Sequence, residues 1–257
     1  MNTLQNPMTQ NPFKKEIFEV LRKSYAECQI FNLSFDENVT KMTEYYITVS
    51  LSKELLNWNE ENKYPFKIEL EKNTTRLFHD CFENYKQIGD KWNPGTFASH
   101  SNEFKESHDA IRKGKVDIAL SRTHNSRNIS EYIFEVKAVN PDIGELKKDF
   151  QRIQQFLNAE VPDFENSFKG GFLVFLKHHN KNKIQNRESL IESQTTYINN
   201  LKSQLDEIKA AGTKFSIDCK TITLSDGESL QLQNGYEHGE EAYKTFFAYG
   251  VIIAIQK

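Results

Sequence analysis

Residues 131–139 read EYIFEVKAV, an apolar run that contains a glutamate and a lysine two positions apart. In a β-strand, side chains at positions i and i+2 point to the same face. Glu135 and Lys137 are therefore predicted to share one face of a core strand, with Phe134 and Val136 on the other. Such a pair is either a salt bridge on a solvated face or part of a site.

The pattern Glu-x-Lys has little information by itself, because it recurs at Glu103-Phe-Lys105 and at Glu207-Ile-Lys209. The first copy lies in a polar, loop-like segment. The second lies on an amphipathic helical pattern, where residues two apart point to different sides. Only the copy at 135–137 places both charges on one face of an apolar strand.

A second strand pattern, KVDIAL (115–120), precedes this one and carries a single carboxylate, Asp117. The polar segment SRTHNSRNIS (121–130) between the two predicts an antiparallel hairpin with a long connection. If the strands are neighbours, Asp117 and Glu135 meet at one end of the hairpin. Two carboxylates that close repel each other unless a cation separates them.

A hard cation with oxygen ligands, Mg²⁺ or alternatively Mn²⁺, suits this pair because it takes one or two carboxylates and keeps several waters. The backbone carbonyl of Val136 points sideways from the strand and offers a further oxygen ligand. Lys137 beside such a metal would orient a water molecule and neutralise charge that develops on phosphorus.

The hydrophobic periodicity predicts an α/β protein with a mixed central sheet flanked by helices. Predicted helices cover 13–28, 38–57, 74–86, 144–159 and 187–211, and predicted strands cover 65–71, 115–120, 132–139, 170–177 and parts of 213–257. Residues 1–12 are predicted to be a flexible tail and 13–257 a single domain with its core at about 40–176, a polar insertion at 89–115, the long helix 187–211 and C-terminal strands at 213–257. The long helix is expected to pack on the sheet, with a dimer seam as the alternative.

The helix at 38–57 is expected to be buried on both of its apolar stripes. One stripe runs through Tyr45, Val49 and Leu56, and the other runs through Ile47, Leu51 and Leu55. Glu44 lies in line with the second stripe, which makes it an unusual carboxylate near the predicted core.

Composition excludes several classes of protein. The chain has 257 residues, 37% hydrophobic and 27% charged, with a formal net charge of −3, which indicates a globular protein without a strongly basic character. Its longest apolar stretches are too short to span a bilayer, so no membrane association is expected. Three widely spaced cysteines and a start without a signal pattern predict a cytoplasmic location.

The order of a carboxylate strand, a polar turn, an apolar strand with Glu-x-Lys and a basic amphipathic helix resembles the PD-(D/E)xK nuclease superfamily, which has the restriction-endonuclease-like fold. The resemblance covers roughly residues 40–176 and makes Asp117 the motif aspartate, Glu135 the second metal ligand and Lys137 the motif lysine. The residue before Asp117 is Val116, whereas the motif has proline.

The same resemblance implies two further contributions to the site. Several members place a glutamate on the helix before the first strand, and Glu44 is similar to that residue, with Glu69 and Glu71 as rivals. The helix GELKKDFQRIQQFL is similar to one that offers a polar residue toward the site, for which Arg152 and Gln155 are the candidates.

The expected function is that of a Mg²⁺-dependent endonuclease that hydrolyses DNA phosphodiester bonds, and restriction, repair and anti-phage defence stay open as its role. RNA as substrate, a homodimer or other oligomer, and a partner protein stay open. Phosphate contacts are expected from basic and polar residues of the insertion and the helix: Arg112, Lys113, Lys115, Lys147, Lys148, Arg152 and Gln155. The alternative is a catalytically silent nucleic-acid-binding or scaffold protein on the same fold.

Overall fold

The computed structural model describes residues 12–32, 39–64, 66–85, 114–124, 127–161, 164–179, 187–223 and 247–257. Most of the predicted N-terminal tail and nearly all of the predicted insertion at 89–115 lie outside these residues. Arg112 and Lys113, two of the predicted phosphate contacts, lie outside them as well.

The described helices are interleaved with strands along the chain, as the periodicity predicted. The helices are α1 (Lys14–Asn32), α2 (Val39–Asn62), α3 (Thr74–Asp80), α4 (Ile143–Leu157) and α5 (Arg187–Asp206). The strands are β1 (Phe66–Asn73), β2 (Phe82–Tyr85), β3 (Lys115–His124), β4 (Arg127–Val139), β5 (Phe164–Asn166), β6 (Gly170–His179), β7 (Lys214–Thr223) and β8 (Phe247–Gln256).

Six of these strands form one mixed sheet in the order β1-β3-β4-β6-β8-β7. Strands β4 and β6 run parallel and are connected through α4, whereas the other neighbours run antiparallel. Strands β2 and β5 form a separate two-stranded sheet. The prediction of an α/β protein with a mixed sheet flanked by helices is therefore confirmed.

Helices cover both faces of the six-stranded sheet, and each face has its own hydrophobic core. On one face, α1 and α2 pack on the sheet through residues such as Ile17, Leu21 and Leu51. On the other, α3, α4 and α5 pack through residues such as Phe78, Phe150 and Leu201. Since Leu201 and Leu205 are buried in this second core, α5 packs on the sheet as expected.

Helix α4 approaches the sheet unusually closely at Gly171 on β6. A Cβ atom at this glycine would lie 2.8 Å from Cγ2 of Ile153 on α4, which is too short for carbon atoms. The helix begins directly after β4, because Asp142 caps it by accepting a hydrogen bond of 2.7 Å from the Gly144 amide. Its polar side chains are thus held directly above the carboxyl end of β4.

Three predictions about local structure were wrong. The polar segment 121–130 is not a long connection, because β3 continues to His124 and β4 starts at Arg127. The helix predicted at 74–86 ends at Asp80 and is followed by β2. The long helix predicted to reach 211 ends at Asp206.

The prediction that α2 is buried on both stripes was also wrong. Ile47, Leu51 and Leu55 are fully buried, but Tyr45 is 72% exposed and Leu56 is 51% exposed. The sheet covers a single face of the helix, so the stripe through Tyr45, Val49 and Leu56 is exposed in the described part of the chain.

No helix among the described residues is both long enough and apolar enough to cross a membrane. Of the cysteines whose side chains are described, Cys81 is buried and Cys219 is half-buried, and both are free thiols.

Candidate functional site

Asp117 lies where β3 and β4 part. The recorded pairing of the two strands begins with Ile118 opposite Phe134, and Asp117 is the next residue outside it. Its Oδ2 atom accepts a hydrogen bond of 2.7 Å from the backbone amide of Val136. Because Val136 lies between Glu135 and Lys137 in the chain, this bond joins Asp117 to the Glu-x-Lys segment directly.

The Val136 carbonyl is expected on the same edge of β4 as its amide. In an extended strand, the N–H and C=O groups of one residue point toward the same neighbouring strand. The amide points toward Asp117, and so the carbonyl oxygen is directed toward the same gap between β3 and β4.

Glu135 is a buried carboxylate on the sheet face that α4 covers. It is 2% exposed, and its Oε1 atom lies 2.8 Å from Nη2 of Arg152. Despite this contact, Oε1 accepts no hydrogen bond from any described residue. Glu135 is therefore held by the charge of Arg152, and its Oε1 atom can still accept a hydrogen bond or bind a cation.

Lys137 lies on the same face and pairs with the same helix. Its Nζ atom is 3.0 Å from Oδ2 of Asp149. The prediction that Glu135 and Lys137 share one face of the strand is confirmed, because both side chains contact α4. Although burial lowers the pKa of Lys137, the negative charges of Asp149, Glu135 and Glu44 together raise it above its ordinary value. The ammonium group is consequently protonated at neutral pH.

Asp149 is a site residue that the sequence analysis missed. It is buried, it holds Lys137 through one carboxylate oxygen, and its other oxygen lies 2.5 Å from Nη2 of Arg152. A signal was present in the sequence, because Asp149 is three residues after Leu146 and four before Ile153, both core residues of α4. A charge at that spacing faces the sheet.

Burial and neighbouring carboxylates make the two motif acids hard to ionise. Burial raises the pKa of Asp117 to about 6, against the lowering effects of the Val136 amide and Lys137, and with further raising by Glu44 and Glu71. Burial also raises the pKa of Glu135 well above its ordinary value, and Asp149 and Asp117 add to this while Arg152 and Lys137 oppose it. The positive charges of Arg152 and Lys137 therefore do not offset the effect of burial on the pKa of these two acids.

The three candidates for an additional glutamate differ in their surroundings. Glu44 and Glu71 lie close enough to raise the pKa of Asp117, and Glu44 also acts on Lys137. Glu71 forms an exposed ion pair of 3.2 Å with Lys115. Glu69 instead lies 2.7 Å from the buried ammonium of Lys72. Glu69 is thus paired with Lys72, whereas Glu44 raises the pKa of both Asp117 and Lys137.

Glu71 has an unusual backbone conformation. Its φ angle is +52°, in the left-handed region that side chains other than glycine rarely adopt. In the pairing of β1 with β3, Leu70 lies opposite Ile118 and Lys72 lies opposite Val116. Glu71 therefore occupies the position between these pairs, across from Asp117.

The donor atoms present fit a small, hard cation that keeps most of its water. No group of three or more histidine, cysteine, aspartate or glutamate side chains among the described residues is arranged to hold a metal ion. Asp117 and Glu135 nevertheless offer carboxylate oxygens, and the buried Glu135 Oε1 accepts no hydrogen bond. Mg²⁺ and Mn²⁺ accept such a set, since one or two carboxylates with water ligands suffice.

The predicted phosphate contacts among the described residues differ in their surroundings. Lys115 pairs with Glu71, and Lys147 lies 3.5 Å from Glu207 at the end of α5. Lys148 is exposed on α4. Arg152 is directed into the site rather than toward solvent.

Gln155, the other predicted polar contact of α4, lies in a separate groove. The groove has a volume of about 380 Å³ and is lined by Gln151, Gln154, Gln155 and Asn158 of α4 together with Ile208 and Ala210. Gln154 donates a hydrogen bond to the Ile208 carbonyl and accepts one from the Ala210 amide. Gln155 is thus grouped with carboxamides and not with the charged site.

The fold places this chain in the broad class of α/β proteins with a mixed sheet flanked by helices, and the candidate site lies at one end of the β3–β4 hairpin. Searches against protein-family models, curated proteins and solved structures found no match to the chain.

Proposed function

We propose that this protein is a metal-dependent nuclease of the restriction-endonuclease-like class, which hydrolyses phosphodiester bonds in DNA. The observation that carries the proposal is the hydrogen bond from the Val136 amide to Asp117. That bond joins Asp117 to the strand segment that carries Glu135 and Lys137, at one end of the hairpin. It fits the order and spacing of the PD-(D/E)xK pattern.

In this proposal, Asp117 and Glu135 would hold the cation together with the Val136 carbonyl, and Glu44 of α2 would be the additional carboxylate. The bound Mg²⁺ would supply Lewis acidity toward the phosphate and lower the pKa of a bound water. Burial of Glu135 beneath α4 keeps its oxygen from bulk water, which strengthens any interaction with a cation.

Lys137 serves as a fixed positive charge and not as a base. Its pKa is raised by Asp149 and other carboxylates, so it has no free electron pair near neutral pH. It donates hydrogen bonds instead, which orients the attacking water and stabilises negative charge on the phosphoryl oxygens. Asp149 is a positioning residue, because it fixes the ammonium at 3.0 Å.

DNA is the proposed substrate, with its phosphates contacted by lysines of β3 and α4. Lys148 is exposed, and Lys115 and Lys147 form ion pairs that are weak at the surface and exchangeable for phosphate. A role in restriction or anti-phage defence in the cytoplasm belongs to the same proposal.

The test is cleavage of plasmid, single-stranded DNA and RNA by the purified chain with Mg²⁺, with Mn²⁺ and with chelator. We expect cleavage of DNA only with metal, and a loss of at least about a hundredfold in Asp117→Ala and in Lys137→Ala. Lys202→Ala, a change of an exposed lysine on α5, is the matched control and should cleave normally. Cleavage that persists in both site variants would contradict the proposal.

One observation favours a second candidate, a catalytically silent nucleic-acid-binding or scaffold protein. Glu135 is already paired with Arg152, and Lys137 with Asp149, so these four charges neutralise each other without a metal. Binding of nucleic acid by wild type, without cleavage under any of the metal conditions, would support this candidate.

A further inference from the structure

The guanidinium of Arg152 lies against the carboxylate of Glu135, the residue proposed as a metal ligand. Its Nη2 atom contacts two carboxylates, Glu135 Oε1 at 2.8 Å and Asp149 Oδ1 at 2.5 Å. Its side chain is 17% exposed, so most of its charge is withdrawn from solvent. A residue placed in this way is poorly positioned to contact the phosphates of a nucleic acid.

The contact between Arg152 and Glu135 is close but poorly directed. Among the described residues, Glu135 Oε1 accepts no hydrogen bond, and the buried Nε atom of Arg152 donates none. Buried charge pairs are strong when they form directed, bidentate hydrogen bonds. This pair relies on charge alone and is therefore easier to separate than a bidentate pair.

Arg152 contacts two carboxylates that lie on different elements of the fold. Asp149 lies three residues earlier on α4, so its contact with Arg152 is local to one helix. Glu135 lies on β4, and its contact with Arg152 crosses from helix to sheet. The guanidinium can leave Glu135 and still retain Asp149.

We propose that Arg152 is a displaceable counter-ion, which occupies the cation position at Glu135 in the metal-free protein and moves off Glu135 when a divalent cation binds. The inference rests on the proposed function, because it takes Glu135 as a metal ligand. A guanidinium and a dication on the same carboxylate oxygen repel each other strongly, so the two states exclude one another.

This arrangement sets the metal affinity of the site. Only the fraction of molecules with Arg152 away from Glu135 is competent to bind, and the apparent affinity is reduced by that fraction. If about a tenth of the molecules are competent, removal of the guanidinium tightens metal binding about tenfold.

The test is titration of the metal-free protein with Mn²⁺, followed by electron paramagnetic resonance of the free ion, together with melting in chelator. We expect Arg152→Gln to bind Mn²⁺ about tenfold more tightly than wild type and to melt at a lower temperature in chelator. Lys202→Gln, which removes an exposed positive charge from α5, is the control and should behave as wild type. If Arg152→Gln does not fold, Arg152→Lys keeps a shorter positive charge and should also bind Mn²⁺ more tightly.

Equal or weaker Mn²⁺ binding by the folded Arg152 variant would overturn the inference. Different results would overturn the proposed function. Absence of Mn²⁺ binding in wild type and in the variant would overturn both, whereas binding that is unchanged in Asp117→Asn would locate the metal at another site. Tight binding that depends on Asp117 but not on Arg152 leaves the nuclease proposal standing and removes the displaceable counter-ion alone.

Discussion

Two buried charge networks lie along the β3–β4 hairpin, and they differ in their balance of charge. The Lys72 network is built around one buried ammonium and consists of Lys72, Glu69, Asp80, Ser121 and Ser130. The Glu135 network is the candidate site and consists of Asp117, Glu135, Lys137, Asp149 and Arg152.

In the Lys72 network, the ammonium is 1% exposed and reaches all four partners. Its Nζ atom lies 2.7 Å from both Glu69 and Asp80, 2.9 Å from Ser130 and 3.3 Å from Ser121. Although burial raises the pKa of Glu69, its hydrogen bond to Lys72 and the charges of the lysines lower it overall. The Lys72 network thus stabilises the ionised form of Glu69, as expected for a network that supports the fold.

In the Glu135 network, burial instead raises the pKa of both motif carboxylates above their ordinary values. Positive charge that would stabilise them is insufficient or poorly directed. The comparison shows that the burial of charge alone does not indicate a site. A carboxylate whose ionised form lacks support is the feature that calls for a cation.

The largest effect is expected from Lys72→Met. This change leaves the carboxylates of Glu69 and Asp80 without their central partner, so we expect a loss of about 3–5 kcal/mol in the free energy of unfolding. Urea denaturation measures it. Lys67→Met is the matched control, because Lys67 pairs with the same Glu69 from an exposed position, and it should cost less than about 1 kcal/mol. Equal losses in the two variants would contradict the central role of Lys72.

Asp117→Asn is expected to stabilise the metal-free protein above pH 6. The folded pKa of about 6 exceeds the ordinary value of 3.8, so the folded state binds more protons between these values and stability falls as pH rises through that window. The shift corresponds to about 3 kcal/mol. Unfolding in chelator from pH 4 to pH 8 should show a flatter profile for Asp117→Asn. An unchanged profile would show that Asp117 is not destabilised in its ionised form.

Divalent metal is expected to stabilise the wild-type protein by about 2.7 kcal/mol at a concentration one hundred times the dissociation constant. The reason is that the folded protein alone assembles Asp117 and Glu135. Thermal unfolding with and without Mn²⁺ measures the effect. The double variant Asp117→Asn, Glu135→Gln should show none of it, and an equal shift in that variant would place the metal elsewhere.

Glu69→Gln should have the smallest of these effects and the opposite dependence on pH. Because its folded pKa is lowered, the contribution of Glu69 is fully present above its unfolded pKa and is lost as pH falls through its folded pKa. We expect the variant to lose about 2 kcal/mol at neutral pH and to differ less from wild type in acid. Acid titration of unfolding checks this, and a gap that widens toward low pH would contradict it.

The sequence predicted the parts of the site that depend on local periodicity. Glu135 and Lys137 were placed on one face because a strand alternates with period two, and Asp117 was placed near them because consecutive strands tend to pair. Helices and strands were predictable for the same reason wherever apolar residues recur at regular spacing.

The sequence could not predict the contacts between α4 and the sheet. Periodicity alone indicates a surface charge at Arg152, and only the resemblance makes it a candidate for the site. Its burial depends on the close approach of α4 at Gly171. Periodicity also indicates a surface charge at Asp149, although its spacing from Leu146 carried a signal. The exposed stripe of α2 shows the same limit, because apolar periodicity does not tell which face the sheet covers.

The most direct test is a crystal structure of the protein after soaking in Mn²⁺, with the anomalous signal of manganese recorded. We expect one manganese peak between Asp117 and Glu135, about 2.1 Å from an oxygen of each. Nη2 of Arg152 should then lie farther from Glu135 Oε1 than its present 2.8 Å. No peak at this place under saturating Mn²⁺, with Arg152 still in contact with Glu135, would contradict the assignment of a metal-dependent site.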